Sequence, residues 1–303
     1  MGPSGRFLVV KSDFVANLWV FPSNLDKLEN LSQGERLSFG EVKDRRPRWA
    51  PGDDAVYFES NRRGGLDVWR LSLGIDNPVR LTSGLRREFR PRVSPQHSWI
   101  AFDVSDERGE FTYLMRPDGG NIRDLGFRNN FELSCCAAWS PDGSQIAIFL
   151  EGRIGIVDID PETGTAQKIQ LLDLPGEAEE YASWSPDGRF ITYEAVENGN
   201  WSLWITRPNG TDARRLTFES TNERYSAWSK DSRFVYFVRH DYGDYWRIPM
   251  DADTGTPTGA PQLWFTPPNR HRVANDSVDF TKDKVVMAIA KDASDIWLVE
   301  FRE

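Results

Sequence analysis

The sequence predicts an all-β fold of the β-propeller class, a ring of mostly four-stranded antiparallel sheets. Three observations predict it. A motif built on a mostly aromatic anchor recurs along the 303 residues, and its copies lie about 45 residues apart, as propeller blades do. No window keeps helical periodicity long enough to compete. Alternating β-branched and aromatic residues flank turn residues in each copy, which is typical of antiparallel hairpins.

The repeat is clearest where a Trp anchor precedes Ser-Pro-Asp-Gly. The copies at Trp139 and Trp184 read CAAWSPDGSQIAIF and YASWSPDGRFITY. The start of the chain, GPSGRFLVV, matches the second half of the same motif. The remaining four anchors, which bring the number of copies to seven, are Trp49, Val93, Trp228 and Phe280.

Each copy predicts up to four strands. Strand a ends at the anchor, b carries the IAIF-like segment, c an LWI-like segment and d an RLT-like segment. Pro, Asp and Gly suit the turn between a and b, because Pro fixes φ, Asp can bond nearby backbone and Gly accepts positive φ. One copy cannot bury both faces of its sheet, so neighbouring copies must stack on each other through Trp and Phe.

Strand counting favours seven blades. The first copy lacks strand a and the last lacks strand d, which predicts a three-stranded blade at each end; six blades with an extra N-terminal hairpin is the alternative. We expect residues 1–303 to form one propeller domain. Because the chain opens in mid-repeat, at Pro3-Ser4-Gly5, we also expect this domain to be part of a longer protein or truncated at its N-terminus.

The cleanest copy, residues 181–217, resembles a known family. WSPDGR, ITY, LWI, a Pro-Asn-Gly turn and RRLT follow each other there, and this order is similar to the TolB-like, WD-repeat-like propeller repeat and to the propellers of tricorn and prolyl-oligopeptidase-type peptidases. The resemblance covers nearly all of the chain and implies a role in protein interaction, sensing or scaffolding. At two anchors the turn departs from the pattern and reads Gln96-His97-Ser98 or Lys282-Asp283-Lys284.

Composition limits the partners. A net charge of −9 and a pI near 5.1 argue against binding to nucleic acid, which relies on dense Lys and Arg. No segment is apolar over the length that spans a bilayer and no secretory signal is visible, so we expect a soluble chain whose compartment, cytoplasmic or periplasmic, stays open. The oligomeric state stays open too. A protein or peptide partner is the expectation.

Signatures of catalysis and of metal binding are missing from the sequence. G-x-S-x-G, HExxH and P-loop motifs are absent, and the three His lie in different copies, so no catalytic residue, metal or cofactor is predicted. Segments 158–164 and 251–255 have the alternating acids of calcium loops but no terminal Glu, which favours ordinary turns. We expect a non-catalytic propeller; the alternative is an enzyme, either a glycan-active propeller or the propeller part of a peptidase lacking its hydrolase domain.

The two cysteines, Cys135 and Cys136, are adjacent on a predicted a strand. Successive residues of a strand point to opposite faces. We therefore expect one buried thiol and one that faces the central channel; a redox or metal role is the alternative.

One predicted surface is polarised in charge. The loops entering the a strands and the b–c loops share a rim that is basic over the copies at Trp49 and Val93 and acidic at Trp184. Since Arg can fork onto carboxylates or phosphates, we hypothesise that an acidic peptide or anionic group docks over the basic side. Alternatively, the arginines pair with Glu88, Asp44 and other neighbours. The candidate binding residues are Arg46, Arg48, Arg90, Arg92, Glu180, Tyr181, Arg224, Tyr225 and His271, and the structural anchors are Trp49, Trp139, Trp184 and Trp228.

Overall fold

The chain forms a ring of antiparallel β-sheets with almost no helix, as the sequence predicts. It is seen in a computed structural model that describes residues 6–23, 27–84, 86–127, 134–197, 199–219, 221–239, 243–267 and 271–300. The strands of these residues group into four four-stranded sheets and one eight-stranded sheet. A parallel bridge between Ser134 and Phe111 joins the two halves of the eight-stranded sheet. The described strands therefore make six four-stranded blades.

The strands follow the repeat, with strand a innermost in each blade. β1 (Arg6–Pro22) and β2 (Glu35–Arg36) open the chain, with a 3₁₀-helix at Leu31–Gln33 between them. Blade 1 contains β3 (Arg45–Trp49), β4 (Ala55–Arg63), β5 (Gly65–Ser72) and β6 (Val79–Arg80), and blade 2 contains β7 (Arg87–Val93), β8 (Ile100–Asp106), β9 (Gly109–Met115) and β10 (Arg123–Asp124). Blade 3 contains β11 (Ser134–Trp139), β12 (Gln145–Leu150), β13 (Arg153–Ile159) and β14 (Ala166–Leu171), and blade 4 contains β15 (Glu177–Trp184), β16 (Ile191–Glu197), β17 (Asn200–Thr206) and β18 (Arg214–Arg215). Blade 5 contains β19 (Glu223–Trp228), β20 (Phe234–Arg239), β21 (Asp244–Pro249) and β22 (Gln262–Phe265), and the chain ends with β23 (His271–Phe280) and β24 (Lys284–Glu300).

Blade 6 joins the two ends of the chain. Its order is β2-β1-β24-β23, so the C-terminal strands supply positions a and b and the N-terminal strands supply c and d. β1 and β24 pair along their whole length, from Arg6 opposite Glu300 to Pro22 opposite Lys284. The described strands thus do not form the favoured seven blades with a three-stranded blade at each end. The incomplete first and last copies share one sheet, because separate incomplete blades would leave strand edges unpaired.

An apolar cluster fills each junction between neighbouring blades. Six such clusters lie among the described residues, and together they close the ring. Fully burying one large apolar side chain contributes about 1.5–3 kcal/mol, so the fold rests on these junctions. From the blade 6–blade 1 junction round to the blade 5–blade 6 junction, pairs of residues from facing blades are Leu18 and Trp49, Tyr57 and Phe102, Trp99 and Trp139, Ile154 and Trp184, Phe190 and Trp228, and Tyr236 and Phe280.

Two c–d loops, at 160–165 in blade 3 and 251–256 in blade 5, share the sequence Asp-x-x-Thr-Gly-Thr. In each loop the first carboxylate accepts backbone N–H groups of its own turn, as Asp160 does from Thr163 at 2.8 Å and Asp251 from Thr254 at 2.9 Å. These acids hold turns, in agreement with the sequence prediction. The loops also lock onto the preceding blade: Trp99 of blade 2 donates its indole N–H to the Pro161 carbonyl at 2.9 Å.

In the blade 3 loop, both the backbone conformation and the lack of room for a side chain require glycine at position 164. Gly164 has φ of +67°, and a Cβ added there would lie 2.7 Å from the ring of Trp99. We expect Gly164→Ala to lower the free energy of unfolding by about 1–3 kcal/mol, because positive φ and overpacking both oppose a methyl group. Gly152→Ala is the matched control, since Gly152 has φ of +87° and nothing within 4 Å of the added Cβ. Equal losses for the two variants in urea denaturation would contradict the proposed contact.

Candidate functional site

A bulge recurs in the innermost strands that line the channel. In five a strands the residue three positions before the anchor has positive φ, between 43° and 63°, and the pairing register with strand b shifts there. A bulge bends the strand and redirects its side chains, so side chains before and at the bulge converge instead of alternating. The bulge residues of blades 1 to 5 are Arg46, Arg90, Cys136, Tyr181 and Tyr225.

Buried carboxylates connect three of these bulges to the preceding blade. Glu59, Asp103 and Glu194 occupy one equivalent position in strand b of blades 1, 2 and 4, and all are buried. Each accepts the backbone N–H of the next bulge: Glu59 from Arg90 at 3.1 Å, Asp103 from Cys136 at 3.2 Å, and Glu194 from Tyr225 at 2.5 Å. We call these three residues the inter-blade carboxylates.

Glu59 is neutralised by two arginines of its own blade. The guanidinium groups of Arg45 and Arg46 both lie 2.7 Å from its Oε1. Burial alone would raise the pKa of the Glu59 carboxyl, but Arg46, Arg45 and the N–H of Arg90 outweigh burial and lower this pKa from 4.5 to about 2. Glu59 is therefore ionised at neutral pH and ties its arginines into the wall of the ring.

At the level of the bulges, candidate residues from three blades meet across the channel. Arg90 of blade 2 pairs with Glu110 at 2.8 Å and donates to the hydroxyl of Tyr181 in blade 4 at 3.3 Å. Tyr181 in turn packs edge-on against Tyr225 of blade 5, with ring centroids 5.2 Å apart. Arg224 pairs with Glu194 at 2.7 Å. This layer of side chains crosses the channel at the level of the bulges.

Below this layer the channel contains a cavity of about 350 Å³. It runs along the ends of the a strands to the a–b turns. Near blades 1 and 2 it is lined by Arg48 and Arg92, and on the other side by small residues of blades 3, 4 and 5 and by a carboxylate of blade 6, namely Ala138, Ser183, Ala227 and Asp279. The walls around these residues are aromatic and comprise Trp49, Trp139, Trp184, Trp228 and Phe280.

The two cavity arginines are held by their own strands. Arg48 donates to the carbonyl of Pro47 at 2.7 Å, and Arg92 donates to that of Pro91 at 3.2 Å. Asp279 accepts the backbone N–H of Trp49 at 2.8 Å and thereby joins blade 6 to blade 1. The cavity is thus basic on the side of blades 1 and 2.

The predicted site residues divide between the two layers. Arg46, Arg90 and Tyr181 lie in the bulge layer with Arg224, Arg48 and Arg92 line the cavity, and Tyr225 belongs to both. The side chains of Glu180 and His271 lie outside the described residues.

Ion pairs hold several of the rim arginines, as the alternative interpretation expected, but the acids differ from those named. Arg46 pairs with Glu59 and Arg90 with Glu110, while Asp44 pairs with Arg62 at 2.8 Å. The prediction named the wrong acids because the sequence does not show how strand b pairs with strand a, and this pairing decides which carboxylates lie beside the arginines.

The cysteine prediction is wrong as well. Cys135 and Cys136 are 5% and 6% exposed, and their Sγ atoms lie 2.9 Å apart. The bulge at Cys136, with φ of 63°, turns both thiols to the same side of the strand. Alternation along an unbroken strand, on which the prediction rested, does not hold there.

Sequence reasoning also missed the cavity itself. Its space results from small residues one position before three anchors, Ala138, Ser183 and Ala227, facing arginines at the same position of two other copies. Alignment of the repeats at the residue before the anchor was the signal that could have shown this.

Comparison with known proteins supports the fold. The TolB beta propeller domain family matches residues 26–234. An uncharacterized protein of Agrobacterium fabrum is 26% identical over 212 residues, 68% of this chain and 69% of that protein. A tricorn protease homolog of Saccharolobus solfataricus is 33% identical over 106 residues, 31% of this chain and 10% of that protein.

A solved structure agrees with this match. A protein assigned as TolB from Agrobacterium tumefaciens superposes with a TM-score of 0.68 at 19% identity, over 93% of this chain and 99% of that one. At this identity the likeness concerns the fold alone. The resemblance read from the repeats is confirmed. In the described part of the chain, no helix has the length and apolar character needed to cross a membrane.

The buried ion pairs of Glu59 make a pH dependence measurable. Its pKa is lowered on folding, so its stabilising contribution is present above pH 4.5 and is lost as the pH falls through about 2. A difference of this size corresponds to roughly 3 kcal/mol. We expect Glu59→Gln to lower the free energy of unfolding at pH 7 by about 3 kcal/mol or more, because Arg45 and Arg46 also lose their buried partner.

Denaturant titrations of both proteins between pH 7 and pH 2.5 would test this. The wild type should lose stability more steeply than Glu59→Gln below pH 4.5. Glu41→Gln, at an exposed position, should follow the wild type. Parallel pH profiles of Glu59→Gln and the wild type would refute the assignment.

Proposed function

Because this chain belongs to the TolB beta propeller domain family, we propose that it is a non-catalytic binding protein whose central cavity receives an acidic peptide segment. The observation that carries the proposal is the pair Arg48 and Arg92, which line the cavity on adjacent blades. Guanidinium groups bind carboxylates through two parallel hydrogen bonds, so two neighbouring arginines suit a segment with closely spaced Asp or Glu side chains.

The net charge of the chain means that an anionic partner can be held only by short-range contacts. The chain as a whole carries a net charge of −9, which repels an anionic partner at long range. Binding must then come from short-range contacts with the cavity arginines. Each is anchored through its contact with the preceding proline carbonyl, which reduces the entropy that a partner must remove on binding.

The dimensions favour a short segment. A volume of about 350 Å³ lies at the lower end of the range for small-ligand pockets, so it has room for a few side chains and not for a folded domain. The aromatic wall, which includes Trp139 and Trp184, offers apolar surface to residues flanking the acids. The rest of the partner would lie over the a–b turns at the mouth of the cavity.

The non-catalytic part of the proposal rests on the cavity carboxylates. Propeller enzymes that cleave glycans need two carboxylates facing a shared space. Among the described residues that line the cavity, the carboxylates are Asp53 and Asp279. Asp53 lies in the a–b turn with φ of 58°, and Asp279 accepts the N–H groups of Trp49 and Phe280. The Asp279 carboxylate is thus engaged by the backbone, and Asp53 belongs to a turn of blade 1, which favours binding over the enzymatic alternative.

Tryptophan fluorescence gives a direct test, because four Trp side chains line the cavity. Labelled eight-residue peptides rich in Glu, in Lys or in neutral polar residues would be titrated and followed by Trp quenching and by anisotropy. We expect the Glu-rich peptide alone to bind, with an affinity that falls as salt rises. Arg48→Glu and Arg92→Glu should each weaken it at least about tenfold, as expected for lost charge-assisted contacts.

Arg108→Glu is the matched control, since it makes the same charge change at an exposed position of blade 2 and should leave binding unchanged. Equal binding of all three peptides, or an affinity unaffected in both cavity variants, would exclude the cavity as the anion site. Cleavage of the peptide, detected by mass spectrometry, would contradict the non-catalytic role.

A further inference from the structure

We propose that Cys135, Cys136 and Asp103 form a binding site for a thiophilic divalent metal ion of the Zn²⁺ and Cd²⁺ class, at the junction of blades 2 and 3. The cysteines come from the bulge of blade 3, and Asp103 is the inter-blade carboxylate of blade 2. One ligand atom of each lies within 4.8 Å of the others, and all three residues are buried. This site is separate from the cavity and independent of the function proposed for it.

The ligand set has the chemistry of a soft-metal site. Thiolates select soft or borderline ions, and Zn²⁺ sites that leave one position open use three protein ligands. An ion of charge +2 that replaces two thiol protons leaves the net charge of the site unchanged. The buried surroundings therefore gain no uncompensated charge when the ion binds.

The geometry needs only a small adjustment. Two thiolates on tetrahedral Zn²⁺ at about 2.3 Å lie roughly 3.8 Å apart, so the Sγ atoms, now 2.9 Å apart, would separate by about 0.9 Å. Rotation of the two side chains can supply this. A disulfide between adjacent residues is less suitable, because their Cα atoms are about 3.8 Å apart and disulfides usually join Cα atoms at about 4.4–6.8 Å.

Outer contacts already orient the carboxylate. Thr112 donates its hydroxyl to Oδ1 of Asp103 at 2.9 Å, and the N–H of Cys136 donates to Oδ2 at 3.2 Å. Such contacts hold a ligand in position and strengthen metal binding. Tyr181 packs against the apolar cluster that the two cysteines form with Phe149.

Comparison of the inter-blade carboxylates points to a cation at this one. Arginines lie 2.7 Å from Glu59 and from Glu194. Among the described residues, Asp103 pairs with Arg90 at the longer distance of 3.4 Å, and Arg90 makes a closer pair with Glu110. The two residues at the bulge beside Asp103 are both cysteines. At the bulge beside Glu194, the first of these two positions is Arg224, which pairs with that carboxylate. A metal ion on those thiols would neutralise Asp103 as arginines neutralise the other two carboxylates.

Cd²⁺ titration of the fully reduced, metal-free protein tests the site. We expect one ion per chain by elemental analysis after gel filtration, with a thiolate-to-metal charge-transfer band in the ultraviolet. In the wild-type protein, with both cysteines present, binding of the ion should release about two protons and protect both thiols from alkylation. Zn²⁺ should compete with Cd²⁺ and raise the melting temperature.

Variants assign the ligands. Cys135→Ser and Cys136→Ser should each abolish the charge-transfer band, and Asp103→Asn should weaken Cd²⁺ binding at least about tenfold. Asp142→Asn, an exposed acid of blade 3, is the control and should bind as the wild type does, with far-ultraviolet circular dichroism confirming that each variant is folded. Reduced wild-type protein that stays metal-free, takes up the ion without thiol protection, or carries the two cysteines as a disulfide that reductant does not open overturns the proposal.

Discussion

The pairing of β1 with β24 is the constraint on which the ring depends. A four-stranded blade buries neither of its faces by itself, so each sheet needs a neighbour on both sides. Five blades obtain their strands from consecutive sequence, and the sixth exists only because the two ends of the chain meet along one ladder. Without it, the apolar clusters on either side of blade 6, which contain Leu18 and Phe280, would face solvent.

Closure also sets the functional geometry. It brings the a strands together round one channel, and the bulge repeated in those strands divides the channel into two levels. At the upper level polar side chains bridge across blades, as Arg90 does to Tyr181. At the lower level small residues opposite Arg48 and Arg92 leave a cavity. The repeated bulge thus separates a layer of bridging side chains from the cavity that the small residues leave beside it.

The repeats predicted the blades well because their signals are local. A Pro-Asp-Gly turn, an alternating strand and an aromatic anchor each depend on a few neighbouring residues, as at Trp139 and Trp184. Seven blades were favoured over the six-bladed alternative because the joining of the first and last copies in one sheet was missed. That joining depends on contacts between residues nearly 300 positions apart, such as Arg6 and Glu300, which no local pattern encodes. Side-chain directions at Cys135 and Cys136 were missed for a related reason. A single residue in the left-handed region of backbone conformation breaks the alternation of side chains along a strand. Cys rarely adopts positive φ, so its residue type did not predict the bulge.

The closing ladder has a consequence for biosynthesis. β1 is synthesised before the other described strands and its partner β24 after them, so a nascent chain that lacks β24 leaves one edge of β1 without its hydrogen bonds. Contacts so distant in sequence form slowly, and an open apolar edge invites aggregation during that interval. Blades 1 to 5 can assemble one after another as they emerge, whereas blade 6 can form only after β24 has been synthesised. Closure of the ring is therefore coupled to the synthesis of β24.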